Sequence, residues 1–279
     1  MNQLIKRAFL DTEDGQILYR IGGEGQPLLL LHMTPRSSDE FREVMPILAQ
    51  NRQVIAMDLM GLGDSDKPPR IYSVADYAKN AIALLNELGI KQSSILGSLT
   101  GGYIAGEVAA AYPERVNKLI LCNVHGFDRE ETDKIAQRYS EGFQIQADGS
   151  HLMSRWLARA NYIGTGELNH RCVLEDLKCF SSPIYTGLAV ADYCLDAPER
   201  FQSIKCPTLN LSGEKSLEPL EQAGLAKAKN QLWLSKAIPH SRRVELQGGT
   251  LWMMNQMPKE ISKLIIDFLD NPQEEDDGK

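Results

Sequence analysis

The chain is predicted to fold as an α/β protein on a mostly parallel, doubly wound sheet of eight strands. Three observations predict it. Short apolar runs alternate with helix-length amphipathic segments through the first 125 residues. The runs are continuously apolar, as in strands covered by helices on both faces. The alternation breaks after the sixth strand, over 126–203, and then resumes. A chain of 279 residues with 43% hydrophobic and 24% charged content also has enough apolar surface for a sizeable core.

The elements follow in order. Residues 6–10 and 16–21 flank Asp14-Gly15, a hairpin signal. PLLLLH (27–32) reads as a buried strand, 38–50 as a helix capped by Ser37 or Ser38, and QVIAMD (53–58) as the next strand. Residues 73–89 read as a helix with Ser73 as N-cap and Gly89 as stop. SSILG (93–97) is a strand, 100–112 a helix and KLILCN (118–123) a strand. Residues 126–203 read as amphipathic helices, with Leu152, Trp156, Leu157 and Ala160 at helical spacing. Then come CPTLNLSG (206–213) as a strand, a helix over about 221–236, RRVEL (242–246) as a strand and a helix over 258–270. The division is a core of 1–125 and 204–270, a helical cap of 126–203, and an acidic tail, 271–279, whose composition reads as disordered.

A net charge of −7 argues against nucleic acid or an anionic membrane as partner. No apolar run approaches the roughly 20 residues that span a bilayer. MNQLIKR is not followed by the apolar region of a signal peptide. Five cysteines without a C-x-x-C pair suggest neither a disulfide framework nor zinc, so a cytoplasmic location is expected. No cluster has metal-ligand spacing, and Gly22-Gly23-Glu24-Gly25 and Gly61-x-Gly63 are turns rather than dinucleotide loops, so no cofactor is expected.

The chemistry-bearing stretch is ILGSLTGGYIAG (95–106), a strand running through a glycine-rich turn into a helix of small residues. With LLLLHMTPRSS (28–38), DLMGLGDSDKP (58–68), AAYPERVNKLILCN (110–123), CPTLNLSGEKS (206–216) and LQGGTLWMMNQMP (246–258), it resembles the α/β-hydrolase superfamily over nearly the whole chain. The resemblance implies an α/β-hydrolase fold with a cap and a nucleophile–acid–histidine triad. It places the nucleophile at Leu99, the acid at Ser216 and the histidine at Thr250, or at Leu251 when the loop is counted back from Pro258. Met33 replaces the glycine of the family's His-Gly-x-Pro segment. The small residues Gly97 and Gly101, which relieve crowding at the turn, are kept.

A leucine cannot attack a carbonyl, and removing a serine nucleophile alone costs on the order of 10⁶ in turnover. Backbone donors survive such a loss. The resemblance puts oxyanion donors at the N–H of Thr100 and at Met33 or Thr34, each worth on the order of 3 kcal/mol to a developing oxyanion. A pocket floored by Leu99, Leu251 and Trp252, with Ser98, Trp156 and Tyr162 around it, is expected to take a small apolar organic ligand. Met253, Met254 and Trp252 read equally well as packing of the last loop. His32 reads as structural.

Three functions follow as expectations. The first is a non-hydrolytic enzyme of lyase, isomerase or cyclase type acting on an apolar carbonyl compound. The second is an inactive hydrolase fold that binds or senses a small molecule. The third is a hydrolase with rebuilt machinery, in which Thr100 attacks and His125 is its base; an ordinary loop histidine is the plainer reading of His125. A monomer or homodimer is expected.

Overall fold

A computed structural model describes residues 4–141, 145–179, 185–227 and 231–271. Eight strands form one sheet: β1 (Lys6–Thr12), β2 (Gly15–Gly22), β3 (Gln26–Leu31), β4 (Arg52–Met57), β5 (Ser93–Ser98), β6 (Val116–Cys122), β7 (Thr208–Gly213) and β8 (Arg242–Leu246). Their order is β1-β2-β4-β3-β5-β6-β7-β8. The hairpin β1–β2 and the pairing β2–β4 are antiparallel. The pairings from β4–β3 through β7–β8 are parallel. The α/β architecture read from the sequence is the architecture observed.

The continuous apolar runs have a simple cause. Side chains alternate between sheet faces, and both faces are covered. Leu29 and Leu31 of β3 enter one core with Ile55, Met57, Ile95 and Leu119. Leu28 and Leu30 enter the other with Val54, Ala56, Leu96 and Ile120. The helices Val74–Glu87 and Thr100–Ala111 cover the first face, and Pro258–Asp270 covers the second through Ile261, Ile265 and Leu269. All four β3 leucines are fully buried, each stabilising the fold by roughly 1.5–3 kcal/mol.

Two helix readings need correction. Residues 38–50 are not one helix: a 3₁₀ turn, Ser38–Phe41, is followed by the single turn Met45–Leu48. Pro46 lacks the N–H that a continuing helix needs and sits where a helix starts. Of the two cap candidates, Ser37 is the one that accepts from the Asp39 N–H, at 3.1 Å. The helix over 221–236 is likewise two short pieces, Glu218–Gln222 and Trp233–Ala237. Gly224, at φ +69°, ends the first piece by turning into left-handed backbone. At the other positions the caps fall where they were read: Ser73 and Asp76 form a reciprocal capping box.

The parallel register sets Leu31, Gly97, Leu121 and Asn210 side by side. The loops after β3, β5, β6 and β7 therefore leave along one edge, where α/β sheets bind their ligands. Between β6 and β7 run the helices Arg129–Ser140, Ser150–Arg159, Gly166–Cys179 and Tyr185–Tyr193. Arg171 ties this segment to Asp39 at 3.0 Å and to Glu43 at 2.6 Å. At its far end Arg200 grips Glu107 of the helix that follows β5, at 2.8 and 3.0 Å. The tail expected to be disordered lies, beyond Asn271, outside the described residues.

Candidate functional site

The turn after β5 is a strained elbow with a leucine at its apex. Leu99 has φ +44° and ψ −105°, a conformation that a branched L-residue adopts only under constraint. Its N–H donates to the Cys122 carbonyl at 2.9 Å, and its carbonyl accepts from Gly102 and Tyr103. A Cβ at Gly97 would collide with the Gly101 carbonyl, and one at Gly101 with the Leu31 carbonyl. The elbow is thus held by backbone packed against backbone, whatever side chain crowns it.

The loop after β3 divides the two oxyanion candidates. The Met33 N–H donates to the Glu40 carboxylate at 2.8 Å, so it is already engaged and is not an open donor. This corrects the reading that kept Met33 as an oxyanion donor; its side chain lines the cavity instead. The Thr34 N–H makes only a long bond, 3.3 Å, to the Thr100 hydroxyl. Glu40 is buried, and that burial raises its carboxyl's pKa against the opposing pull of Arg36. His32 is structural: its Nδ1 donates to the Met33 carbonyl and its Nε2 accepts from the Leu59 N–H, both at 2.9 Å. Burial lowers its pKa.

The other positions that the resemblance assigned to a triad have their hydroxyls engaged within their own loops. The Ser216 hydroxyl is buried and donates to the Gly213 carbonyl at 2.7 Å. The Thr250 hydroxyl donates to Gln256 Oε1 at 2.6 Å and accepts from the Trp252 N–H. Leu251 is the residue of that loop that faces Leu99, in a cluster with Met33, Ile163 and Trp252. His125 is buried, and its Nδ1 meets Gln231 Oε1 at 2.7 Å. Burial pushes its pKa down to about 4, with the Gln231 bond opposing. Among the described residues no hydrogen bond joins it to Thr100, whose hydroxyl serves Thr34 instead. The pairing of Thr100 with His125 is therefore not formed.

A cavity of about 340 Å³ opens over this edge. Its sheet side is Met33, Thr34, Leu99, Leu251 and Trp252. A side chamber of about 50 Å³, bordered by Thr100 and Tyr103, shares Leu99 with it. Tyr162 closes over Trp252, their rings 5.1 Å apart. Ser98 and Trp156 do not line it. Ser98 is buried against Glu40, and the Trp156 carbonyl accepts from Asn169.

The opposite wall departs from the expected apolar lid. Arg138, Arg155, Arg159 and Asp176 stand there, and Arg36, from the loop after β3, also lines the cavity. Arg155 binds Asp176 through two nitrogens at 3.0 and 3.3 Å, and Arg159 binds it at 2.5 Å. The sequence reading passed over these arginines. The available signal was Arg155 and Arg159 one helical turn apart, with an aspartate on the following helix. No group of metal-ligating side chains occurs among the described residues, and none of their helices is long and apolar enough to cross a membrane.

Comparison with known proteins gives the same fold. A family model described as alpha/beta hydrolase fold matches residues 26–250. A fluoroacetate dehalogenase from a Burkholderia species is 25% identical over 293 residues, covering 95% of this chain and 93% of its own length. A cis-3-alkyl-4-alkyloxetan-2-one decarboxylase from Shewanella oneidensis is 30% identical over 166 residues, 57% of this chain and 46% of its own length. Several other curated relatives are matched over only 33% to 36% of their length. Among solved structures, a hydrolase from Pseudomonas aeruginosa superposes with a TM-score of 0.80 at 20% identity, covering 95% of this chain and 98% of that one. With the model spanning most of the sheet, and the elbow and its flanking loops in their places, the chain belongs to the α/β-hydrolase fold family.

Proposed function

We propose that this chain has lost the hydrolytic triad and converts a small carbonyl compound without a covalent intermediate, in the manner of a lyase, isomerase or cyclase. The cavity lies between a core of 1–125 and 204–270 and a cap of 126–203. The observation that carries the reading is Leu99 at the strained apex with Leu251 opposite it. Two aliphatic side chains occupy the places from which a nucleophile and its base would act. What remains is shape and backbone charge. A substrate carbonyl oxygen takes the Thr34 N–H from its long bond to Thr100 and meets the first-turn N–H of Thr100, which the helix itself does not engage. The walls hold the substrate's reacting atoms in a near-attack arrangement, which by itself lowers a barrier by several kcal/mol. The relative named as a decarboxylase supports a reaction other than hydrolysis on this fold. The relatives named as hydrolases and dehalogenases are the reason that the test must exclude a nucleophile directly.

The test is labelling with a fluorophosphonate probe and turnover of p-nitrophenyl acetate. Neither labelling nor turnover above background is expected. A covalent adduct on Thr100 or Ser98 would overturn the proposal. The triple variant Leu99→Ser, Ser216→Asp, Leu251→His is expected to gain weak esterase activity, with histidine at 251 rather than 250 because Leu251 is the residue on the cavity. Conversion of a bound ligand, followed by mass spectrometry, separates an enzyme from a protein that only binds.

A further inference from the structure

We infer that the cavity receives a small organic carboxylic acid whose carboxylate sits between the guanidinium groups of Arg36 and Arg159. The inference rests on the reading of this cavity as the ligand site and names the class of ligand.

Buried donors without acceptors carry it. Arg36 is 2% exposed; its Nη1 reaches Asn255 Oδ1 at 3.4 Å, and its Nε and Nη2 have no hydrogen-bond partner among the described residues. Arg159 is also 2% exposed; its Nη1 holds Asp176 and its Nε meets Asn169 at 3.2 Å, while its Nη2 has none. The Trp252 indole N–H and the Thr34 hydroxyl are buried and unpartnered as well. All four side chains line the same cavity. Each is able to donate, and the guanidinium and indole groups can do nothing else. An unmade buried donor destabilises a protein, most of all a charged one. Five of them, on four side chains around one space, call for an acceptor in that space.

Charge points the same way. Four arginines and one aspartate line the cavity, and that aspartate is already bound to Arg155 and Arg159. Burial works against the charge of Arg36, but nearby Glu40, Asp39 and Glu175 help to hold its pKa above the ordinary value. None of the three lines the cavity, and none gives its Nε or Nη2 a hydrogen bond. A planar guanidinium fork matches a carboxylate edge to edge. The facing Leu99 and Leu251 match a hydrocarbon body, which a free inorganic anion lacks. A volume of about 340 Å³ is in the range of small-molecule sites.

The experiment is calorimetric titration of the full chain with 4-phenylbutanoate and with 4-phenylbutanamide, which differ only at the acidic group. The acid is expected to bind on the order of 10-fold tighter or better, as charge-assisted bidentate bonds are about twice as strong as neutral ones. Arg159→Met is expected to bring the two within about 2-fold of each other while amide binding persists. Arg159→Lys is expected to fall between, since it keeps the charge but loses the planar Nη2 donor. Equal affinities in the wild type, or no binding of the acid, would overturn the inference. So would displacement of the acid by inorganic phosphate at equal concentration. These wild-type comparisons stand even if a variant fails to fold. Fluorophosphonate labelling would sink the non-hydrolytic reading alone and leave the acid-to-amide ratio intact, so the two failures are distinguishable.

Discussion

The two walls of the cavity are built on opposite principles. The sheet wall is defined by its backbone: the elbow at Leu99 is buttressed by Gly97 and Gly101 pressed against neighbouring main chain, and its crown is aliphatic. The helical wall is defined by its side chains, with Arg155 and Arg159 gathered around Asp176. The difference teaches that the elbow keeps its geometry with an aliphatic side chain at its apex, because the turn depends on small residues beside the apex and not on the apex itself. The buried ion pair of this cavity lies instead on the wall whose sequence reads as ordinary amphipathic helix.

Substitutions on each wall sharpen the contrast. The largest effect is expected for Gly101→Val. A Cβ there would overlap the Leu31 carbonyl oxygen, backbone that cannot yield, so the cost is expected above the about 1–3 kcal/mol typical of an overpacked core. Urea titration is expected to show a strongly lowered midpoint or no cooperative transition. A wild-type midpoint would mean that the elbow is not rigidly buttressed.

Asp176→Asn tests the helical wall. It leaves two guanidinium groups, that of Arg159 almost wholly buried, without their shared carboxylate. Removing one member of a buried ion pair costs about 3–5 kcal/mol, so a clearly lower urea midpoint is expected here too. A loss under about 1 kcal/mol would mean that solvent reaches the pair.

His125 lies behind the elbow and supplies a pH test. Its pKa in the folded chain is about 4, against roughly 6.5 when unfolded. The histidine binds its proton more weakly when folded, so its contribution is fully present above about pH 6.5 and is lost as pH falls towards 4. The gap of about 2.5 units corresponds to about 3 kcal/mol. The wild type is expected to lose that much more stability than His125→Gln between pH 6.5 and 4, in paired denaturation curves. Parallel curves would show that His125 is solvated. Because the buried His32 is lowered too, the difference between the two proteins, not the wild-type slope, is the reading that counts.

The smallest effect is expected for Leu99→Gly. Releasing a positive φ offsets the loss of a half-buried aliphatic contact. The net change is expected within about 1 kcal/mol of zero by thermal denaturation. A loss of several kcal/mol would mean that the apex side chain, and not the turn, holds this wall together.

How much of this was legible in the chain varies by element. PLLLLH could be read as a doubly covered strand because a parallel strand must be apolar at every position. The elbow could be read because the spacing of Gly97 and Gly101 around residue 99 is local. The helices over 38–50 and 221–236 were misread because apolar periodicity outweighed Pro46 and Gly224, which break them. In the cavity, Thr34, Leu99, Leu251 and Trp252 were anticipated from the loops that carry them. His125 was read as the base for Thr100 or as an ordinary loop histidine, and its ring is committed to Gln231, a partner 106 residues away.

The succession of strands along the chain, the faces they bury and the glycine-framed turn were determined by the sequence itself, since each depends on neighbours within a few residues and on the periods of strand and helix. Which hydroxyls are engaged, which of Thr250 and Leu251 faces inward, and where a guanidinium is left without an acceptor were decided only by tertiary structure. An arginine on an amphipathic helix looks the same in sequence whether its charge meets water or a buried aspartate. The desolvation that gives Arg36 and Arg159 their meaning arises only when distant segments close around them.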